Sequence, residues 1–339
     1  MELTFSDICA IASGAERVTP EPDGIHFYRF TQGQEALYME HKKQHRLKLF
    51  SASGIRLAFR TDSRKLLLKV LTEKASSRNY FSFDIYIDGK MADTLDNYSG
   101  QNIPPAYTEL EASYGAFSKE FYLGEGIKNI TVYFPWSAKV ILQGMELDDG
   151  AVVQPSVPPK KLLALGDSIT QGYDALRPSN KYITRIADWL GAEEYNKAIG
   201  GDCFWPKLAD TDESFSPDYI IAAYGTNDWR RLSEAVFTEN CRGFYKNLSN
   251  RYPGVQIFAI TPLWRADQDY EEPYCAHNQM EGNIRRLVRD IPNVIPISGY
   301  PLVPHRQEMF ADLRLHPNDM GFDDYFKNLK EAIAPYIQK

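Results

Sequence analysis

The stretch LLALGDSITQGYDA, residues 162–175, begins with four apolar residues and then becomes polar. The apolar run predicts a short strand that is buried on both faces, as in a parallel sheet. Gly166 and Asp167 end this strand, so that Ser168 follows at its carboxyl end. Ligands of parallel α/β sheets bind at that end. Ser168 is therefore either a nucleophile or a serine that caps the next helix.

Predicted strands and helices alternate along the chain after residue 160. The strands are predicted at 161–165, 194–199, 218–225, 255–261 and 294–298. The helices are predicted at about 180–190, 233–251, 276–290 and 319–337. This βαβα order predicts a parallel sheet with helices on both faces, which places the chain in the α/β class.

The residues before about 150 follow a different pattern, in which short apolar alternations are separated by turn residues. The segment 80–95 alternates Phe, Ile and Tyr and contains an Asp-Gly pair, which is a hairpin signal. No helical period of useful length occurs there. These features predict an antiparallel, jelly-roll-like β-sandwich. The proline-rich stretch VVQPSVPPKK, residues 152–161, predicts a stiff linker, so we expect an accessory domain at 1–155 and a second domain at 156–339.

Small polar residues follow each predicted strand of the second half. The carboxyl ends of parallel strands share one edge of a sheet, so Ser168, Gly201 and Asn227 are expected to converge there, together with His316 from a late loop. Acyl transfer needs a hydroxyl nucleophile, an imidazole base and donors for the developing oxyanion. Ser168 and His316 fit the first two roles. The N–H groups of Ser168 and Gly201 and the side-chain amide of Asn227 fit the third.

Four sequence blocks carry a family resemblance, namely GDSIT (166–170), NKAIGG (196–201), GTND (225–228) and a late His-Pro (316–317). In order and placement they resemble the SGNH, or GDSL-type, hydrolases over roughly residues 160–339. The resemblance implies a three-layer α/β/α domain, a Ser168 nucleophile, a His316 base, and Gly201 and Asn227 as oxyanion donors. The G-x-S-x-G elbow of α/β-hydrolases is missing because Thr170 stands at its second glycine position.

The order of the two halves carries a second resemblance. A β-sandwich ahead of an SGNH domain is similar to carbohydrate esterase family 2 and related two-domain acetyl esterases. This resemblance implies removal of O-acetyl groups from oligosaccharides such as xylan or mannan fragments. Trp264 follows a strand end on the same edge of the predicted sheet. It is a candidate for stacking on a sugar ring or walling the acyl pocket, and ordinary loop packing is the alternative.

The acid partner of His316 departs from the family pattern. The aspartate that usually stands three residues before the histidine is replaced by Leu313, and the nearest carboxylate is Asp312. A loop can absorb one extra residue, and a buried leucine cannot orient a histidine, so Asp312 is the predicted acid. The alternative is a Ser–His dyad whose ring is held by a backbone carbonyl. His305 is the competing base, and His277 is expected at the surface.

Composition limits the partners of this chain. The 339 residues are 43% hydrophobic and 24% charged, which predicts folded domains. The net charge of −7 is evenly spread without a basic face, which argues against nucleic acid as a partner. No segment has the run of about 20 apolar residues that a membrane span needs. We expect no cofactor and no metal, since neither metal-ligand spacing nor a glycine-rich phosphate loop occurs.

The N-terminus lacks the basic region of a signal peptide, and the four cysteines are scattered. We therefore predict a cytoplasmic location. The main functional hypothesis is a metal-independent serine esterase that removes acetyl or other short acyl groups from small-molecule or oligosaccharide esters. The alternatives are a lysophospholipase or acyl-thioesterase, and a carbohydrate-binding protein with a degenerate hydrolase domain.

Overall fold

The computed structural model describes residues 1–268 and 275–337. Its strands are β1 (Ala12–Ser13), β2 (Arg17–Glu21), β3 (Gly24–Tyr28), β4 (Arg56–Thr61), β5 (Lys65–Lys74), β6 (Ser82–Ile87), β7 (Lys90–Asp96), β8 (Ala116–Tyr122), β9 (Lys128–Tyr133), β10 (Ala138–Leu147), β11 (Gln154–Pro155), β12 (Lys160–Gly166), β13 (Ala192–Asn196), β14 (Tyr219–Ala223), β15 (Ile257–Ile260) and β16 (Val294–Ile297). Its helices are α1 (Phe5–Ile11), α2 (Gln32–His41), α3 (Arg46–Leu49), α4 (Ser168–Gln171), α5 (Tyr182–Leu190), α6 (Pro206–Ala209), α7 (Thr226–Arg231), α8 (Glu234–Arg251), α9 (Met280–Val288) and α10 (Asp319–Ile333).

Two antiparallel sheets form the N-terminal part. One has the strand order β2-β3-β10-β5-β8, and the other has β1-β4-β9-β6-β7 with β11 paired to β4. Their apolar faces share one core because alternate residues point inward, as in β5, where Leu66, Leu68 and Val70 are buried. The predicted β-sandwich is confirmed.

Helix α2 was not predicted from the sequence. Its buried residues are Gln34 and Tyr38, so it has no apolar stripe that a 3.6-residue period would reveal. A capping box between Thr31 and Gln34 starts the helix. The Gln34 side chain also donates to Thr211 (3.0 Å) and Glu213 (2.7 Å) in the C-terminal part. Polar contacts therefore hold this helix in place.

A five-stranded parallel sheet with the order β13-β12-β14-β15-β16 forms the C-terminal part. Helices α5 and α10 pack on one face, and α8 and α9 pack on the other. The predicted three-layer α/β/α domain is confirmed. Strands β13 and β14 pair with opposite sides of β12. In a sheet with this order, the ligand-binding crevice lies at the carboxyl ends of these strands.

The surface position predicted for His277 is wrong. Its side chain is buried in a turn just before α9, where its ring meets the edge of Trp229 with 4.8 Å between ring centroids. Burial lowers the pKa of His277 to about 4, so the ring is neutral at neutral pH. No helix in the described ranges is long and apolar enough to cross a membrane.

The two parts of the chain meet across polar and aromatic contacts. The buried guanidinium of Arg29 donates to the carbonyl oxygens of Asn196 (2.5 Å) and Ala198 (3.1 Å), and burial lowers its pKa to about 9. The indole of Trp136 donates to the carbonyl of Ala175 at 2.8 Å. Side chains of the N-terminal part also belong to the apolar clusters on both faces of the parallel sheet, namely Tyr80, Tyr98, Tyr107, Leu110, Trp136, Phe30, Tyr38 and Leu49.

We expect residues 156–339 expressed alone to aggregate or to lose cooperative unfolding. Removing the sandwich exposes apolar surface that is buried in the full chain, at a free-energy cost of about 25 cal/mol per Å². This cost is large because a typical domain has a total stability of only about 5–15 kcal/mol. Thermal denaturation followed by circular dichroism checks this result, with the full chain as control. A soluble fragment that unfolds cooperatively near the melting temperature of the full chain would show that the predicted division at residue 155 separates independent domains.

Candidate active site

The turn after β12 presents Ser168 at the carboxyl edge of the sheet. Asp167 caps helix α4, because its Oδ1 accepts a hydrogen bond from the Ile169 N–H at 3.0 Å. Ser168 is the first residue of that helix and is not its cap. Gly166 allows the sharp turn, since a Cβ there would lie 2.5 Å from Thr170 Oγ1 and 2.9 Å from the Ala223 carbonyl oxygen. Burial raises the pKa of Asp167 to about 6.

Three side chains form a continuous hydrogen-bonded line at this edge. Ser168 Oγ lies 2.8 Å from His316 Nε2, and His316 Nδ1 lies 2.9 Å from Asp312 Oδ2. The other oxygen of Asp312 accepts from the backbone N–H groups of Arg314 (3.0 Å), Leu315 (2.7 Å) and His316 (3.0 Å). Burial acts to raise the pKa of Asp312, but these donors and His316 outweigh it and hold the pKa well below its usual range.

Leu313 accommodates the extra residue between Asp312 and His316. Its backbone adopts the left-handed conformation with φ of 55°, which is uncommon for a residue other than glycine. Its side chain is 37% exposed, so the expectation of a buried leucine at this position is wrong. The loop thus turns Leu313 outward and returns the Asp312 carboxylate to the ring of His316.

A second carboxylate, Asp174, lies beside His316 and was missed in the sequence. Its Oδ2 is 3.4 Å from His316 Nδ1, and its side chain is fully buried. Arg78 of the sandwich binds this carboxylate through Nε (2.6 Å) and Nη2 (2.8 Å), and the Tyr80 hydroxyl donates to it at 2.9 Å. The backbone of Asp174 is left-handed, with φ of 71°, but the sequence does not reveal this conformation.

Gly201 and Asn227 present donors next to Ser168. The Gly200 N–H donates to Gln171 Oε1 at 2.7 Å, whereas the Gly201 N–H makes no hydrogen bond within the part of the chain that the structure describes. Gly201 has a left-handed backbone with φ of 86°. Asn227 Nδ2 donates to the Asp202 carbonyl at 3.0 Å, and the same NH₂ group carries a second N–H.

One cavity of about 440 Å³ brings together Ser168, Gly201, Asn227 and His316. Among the described residues, those that line it do not include Trp264. The Trp264 indole instead stacks on His305, with 5.5 Å between ring centroids, and packs against Phe310. His305 binds the Tyr300 carbonyl at 2.9 Å. Trp264 and His305 therefore make ordinary packing contacts.

The side chains of Asp174, Asp312 and His316 lie close enough to share a metal ion, since their ligand atoms are within 4.8 Å of one another. Each of these groups already has protein partners. Arg78 and Tyr80 donate hydrogen bonds to the Asp174 carboxylate. Backbone N–H groups and His316 form hydrogen bonds with the Asp312 carboxylate. This cluster therefore needs no cation to satisfy its charges and hydrogen bonds.

Comparison with known proteins supports this description of the C-terminal part. Residues 164–323 match the GDSL-like Lipase/Acylhydrolase family. No curated protein matches the chain in sequence.

The chain is similar in structure to a salicylyl-acyltransferase, SsfX3, from a tetracycline biosynthetic pathway, with a TM-score of 0.80, 19% identity, and coverage of 96% of this chain and 94% of that one. It is also similar to an acetyl xylan esterase, Est2A, from the rumen bacterium Butyrivibrio proteoclasticus (TM-score 0.63, 15% identity, 99% and 98% coverage). A family two carbohydrate esterase from Cellvibrio japonicus gives a TM-score of 0.63 at 16% identity, with 99% of both chains covered. These likenesses extend over the sandwich as well as the α/β part. The chain therefore carries a GDSL-like lipase/acylhydrolase domain at residues 164–323 and is a carboxylic ester hydrolase.

Proposed function

We propose that the protein is a serine esterase that removes acetyl or other short acyl groups from small-molecule or oligosaccharide esters. Ser168 is the nucleophile, His316 is the general base, and Asp312 orients and stabilises the imidazolium. The observation that carries the proposal is the line from Ser168 Oγ through His316 to Asp312, with distances of 2.8 and 2.9 Å.

The reaction follows from this geometry. Ser168 Oγ attacks the ester carbonyl while its proton moves to His316 Nε2. The N–H groups of Ser168 and Gly201 and the Asn227 amide donate to the oxyanion that forms. His316 then returns the proton to the leaving alcohol, which gives an acyl-Ser168 ester. Water attacks this ester with His316 again as base, and the carboxylic acid leaves as Ser168 recovers its proton.

The cavity walls support a short acyl group. The described residues that line the cavity are mainly polar or cationic, and Tyr173 and Leu315 are the large apolar ones among them. A lysophospholipase or long-chain thioesterase needs an apolar tunnel, because each buried CH₂ contributes about 0.8 kcal/mol. The complete set of nucleophile, base and donors argues against a degenerate binding protein.

The four free cysteines support a cytoplasmic location.

The acyl-chain preference provides a test of this proposal. With p-nitrophenyl esters, we expect kcat/KM for the octanoyl ester to be about tenfold or more below that for the acetyl ester, since the extra methylenes have no apolar wall to pack on. Steady-state kinetics on both esters measure the ratio. A higher kcat/KM for the octanoyl ester would contradict the short-chain proposal and favour the lysophospholipase or thioesterase alternative.

A substitution at Asn227 tests the proposed oxyanion site. We expect Asn227→Ala to lower kcat by about 10²- to 10³-fold with a smaller change in KM, because an oxyanion donor binds the transition state preferentially. The matched control is Asn247→Ala, which removes a similar bond from an Asn amide to a backbone carbonyl, that of Pro206, away from the cavity. An effect confined to KM would make Asn227 a substrate-binding residue instead.

A further inference from the structure

The wall of the Ser168 cavity is strongly cationic. It contains Lys48, Arg78, Arg230, Arg231, Arg265 and Arg314, and none of the described lining residues is acidic. A neutral acetylated sugar has no need of such a wall. The cations of this wall that have no protein carboxylate as an ion-pair partner therefore indicate what charge the substrate carries.

Carboxylates behind the wall neutralise some of these cations. Arg78 binds Asp174, and Arg230, Arg265 and Arg314 share Asp267. Lys48 and Arg231 differ, because neither has a carboxylate within ion-pair distance in residues 1–268 and 275–337. Each donates instead to a backbone carbonyl, Lys48 to that of Gly200 and Arg231 to that of Gly201.

Lys48 and Arg231 meet on the open side of Gly201. A Cβ at Gly201 would lie 3.4 and 3.6 Å from the two terminal nitrogens of Arg231 and 3.7 Å from Lys48 Nζ. Lys48 comes from α3 in the N-terminal part, and Arg231 is the last residue of α7. Partial burial and the charge of Arg231 lower the pKa of Lys48, and they outweigh the charge of Asp202, which acts to raise it. An anion at this point relieves the repulsion between the two cations.

We propose that Lys48 and Arg231 bind a carboxylate or phosphate group of the substrate, so that the esterase prefers anionic esters to neutral ones. The inference rests on the proposed function, since Ser168 fixes where the reacting carbonyl lies. The anionic group is on whichever half of the ester, acyl or alcohol, lies over Gly201. The same chemistry admits an acidic acyl group or an acidic alcohol, such as a sugar acid.

Two pairs of nearly isosteric esters separate these sources. The acyl pair is mono-p-nitrophenyl glutarate and its neutral glutaramate counterpart, and the alcohol pair is 3-acetoxybenzoate and 3-acetoxybenzamide. In at least one pair we expect kcat/KM for the anionic ester to be on the order of 10- to 100-fold higher, the factor that charge-assisted hydrogen bonds typically give. This preference should decrease as the salt concentration rises.

Variants assign the preference to the two cations. Arg231→Gln and Lys48→Gln should each lower the ratio of anionic to neutral kcat/KM by about tenfold, as expected from the loss of one charge-assisted hydrogen bond. Arg289→Gln is the matched control, because Arg289 follows α9 and precedes β16 at the opposite edge of the sheet. Melting temperatures of all variants show whether the fold is preserved.

The outcomes separate this inference from the proposed function. Equal rates for both members of both pairs would overturn the anionic preference while leaving the esterase intact. Equal losses on anionic and neutral esters in the variants would also overturn it, and would show that the cations act on the oxyanion. If no ester is hydrolysed, the proposed function fails. In that case, calorimetric binding of 3-acetoxybenzoate to Ser168→Ala, compared with 3-acetoxybenzamide, still decides whether the site selects an anion.

Discussion

Ser168→Ala is expected to lower kcat for p-nitrophenyl acetate by about 10⁴- to 10⁶-fold, the range found when a serine nucleophile is removed. The fold should survive, because His316 is the only hydrogen-bond partner of the Ser168 side chain among the described residues, and alanine is well suited to helix α4. Steady-state kinetics and thermal denaturation on the same preparation measure both effects. Acetate release from a panel of acetylated oligosaccharides should be lost in parallel.

Ser249→Ala serves as the matched control for this prediction. Ser249 is also buried, but it lies on α8 away from the cavity, where its hydroxyl is within hydrogen-bonding distance of the Pro292 carbonyl and Asn293 Oδ1. We expect its substitution to affect the melting temperature more than kcat. Residual activity of Ser168→Ala within tenfold of the wild type would remove Ser168 from the reaction.

Asp312→Asn is expected to lower kcat by about 10³- to 10⁴-fold with little change in KM, as a neutral amide neither stabilises the imidazolium nor selects the correct tautomer. The loop should persist, since the Asn oxygen still accepts from the backbone N–H groups of Leu315 and His316. Kinetics with p-nitrophenyl acetate give the two parameters. A loss below about tenfold would indicate that Asp174 or a backbone carbonyl is sufficient to hold His316.

The pH dependence of stability offers a second measurement on Asp312. Its pKa in the folded protein lies below the usual value, so its ionised form favours folding above the pKa of an unfolded aspartate, about 3.9. This contribution is lost as the pH falls below that value. We expect the melting temperature of the wild type to fall more steeply than that of Asp312→Asn on acidification below about pH 4.

The convergence of Ser168, Gly201, Asn227 and His316 was predictable because a parallel sheet brings the ends of its strands to one edge. The position of Asp312 was also predictable, although the sequence left a Ser–His dyad open. The left-handed turn at Leu313 decides how the extra residue is absorbed, and such a conformation is not encoded by a leucine.

The contributions of the N-terminal part to the site were not predictable. Lys48 and Arg78 reach the cavity from parts of the chain about 100 residues before Ser168, and no local pattern marks such long-range contacts. Helix α2 escaped prediction for a related reason, since it is held by polar contacts with the C-terminal part rather than by an apolar stripe. Trp264 follows β15 as predicted, but it packs against His305 and Phe310, which follow β16.

Covalent labelling with a fluorophosphonate tests the nucleophile directly. The probe forms a phosphorus–oxygen bond with an activated serine and releases fluoride, which leaves a mass that tandem mass spectrometry assigns to one residue. We predict stoichiometric labelling of Ser168 in the wild type, with loss of esterase activity in step, and much slower labelling in His316→Ala. Labelling of a different residue, or continued ester hydrolysis by a chain fully labelled at Ser168, would contradict the assignment of Ser168 as the nucleophile of this esterase.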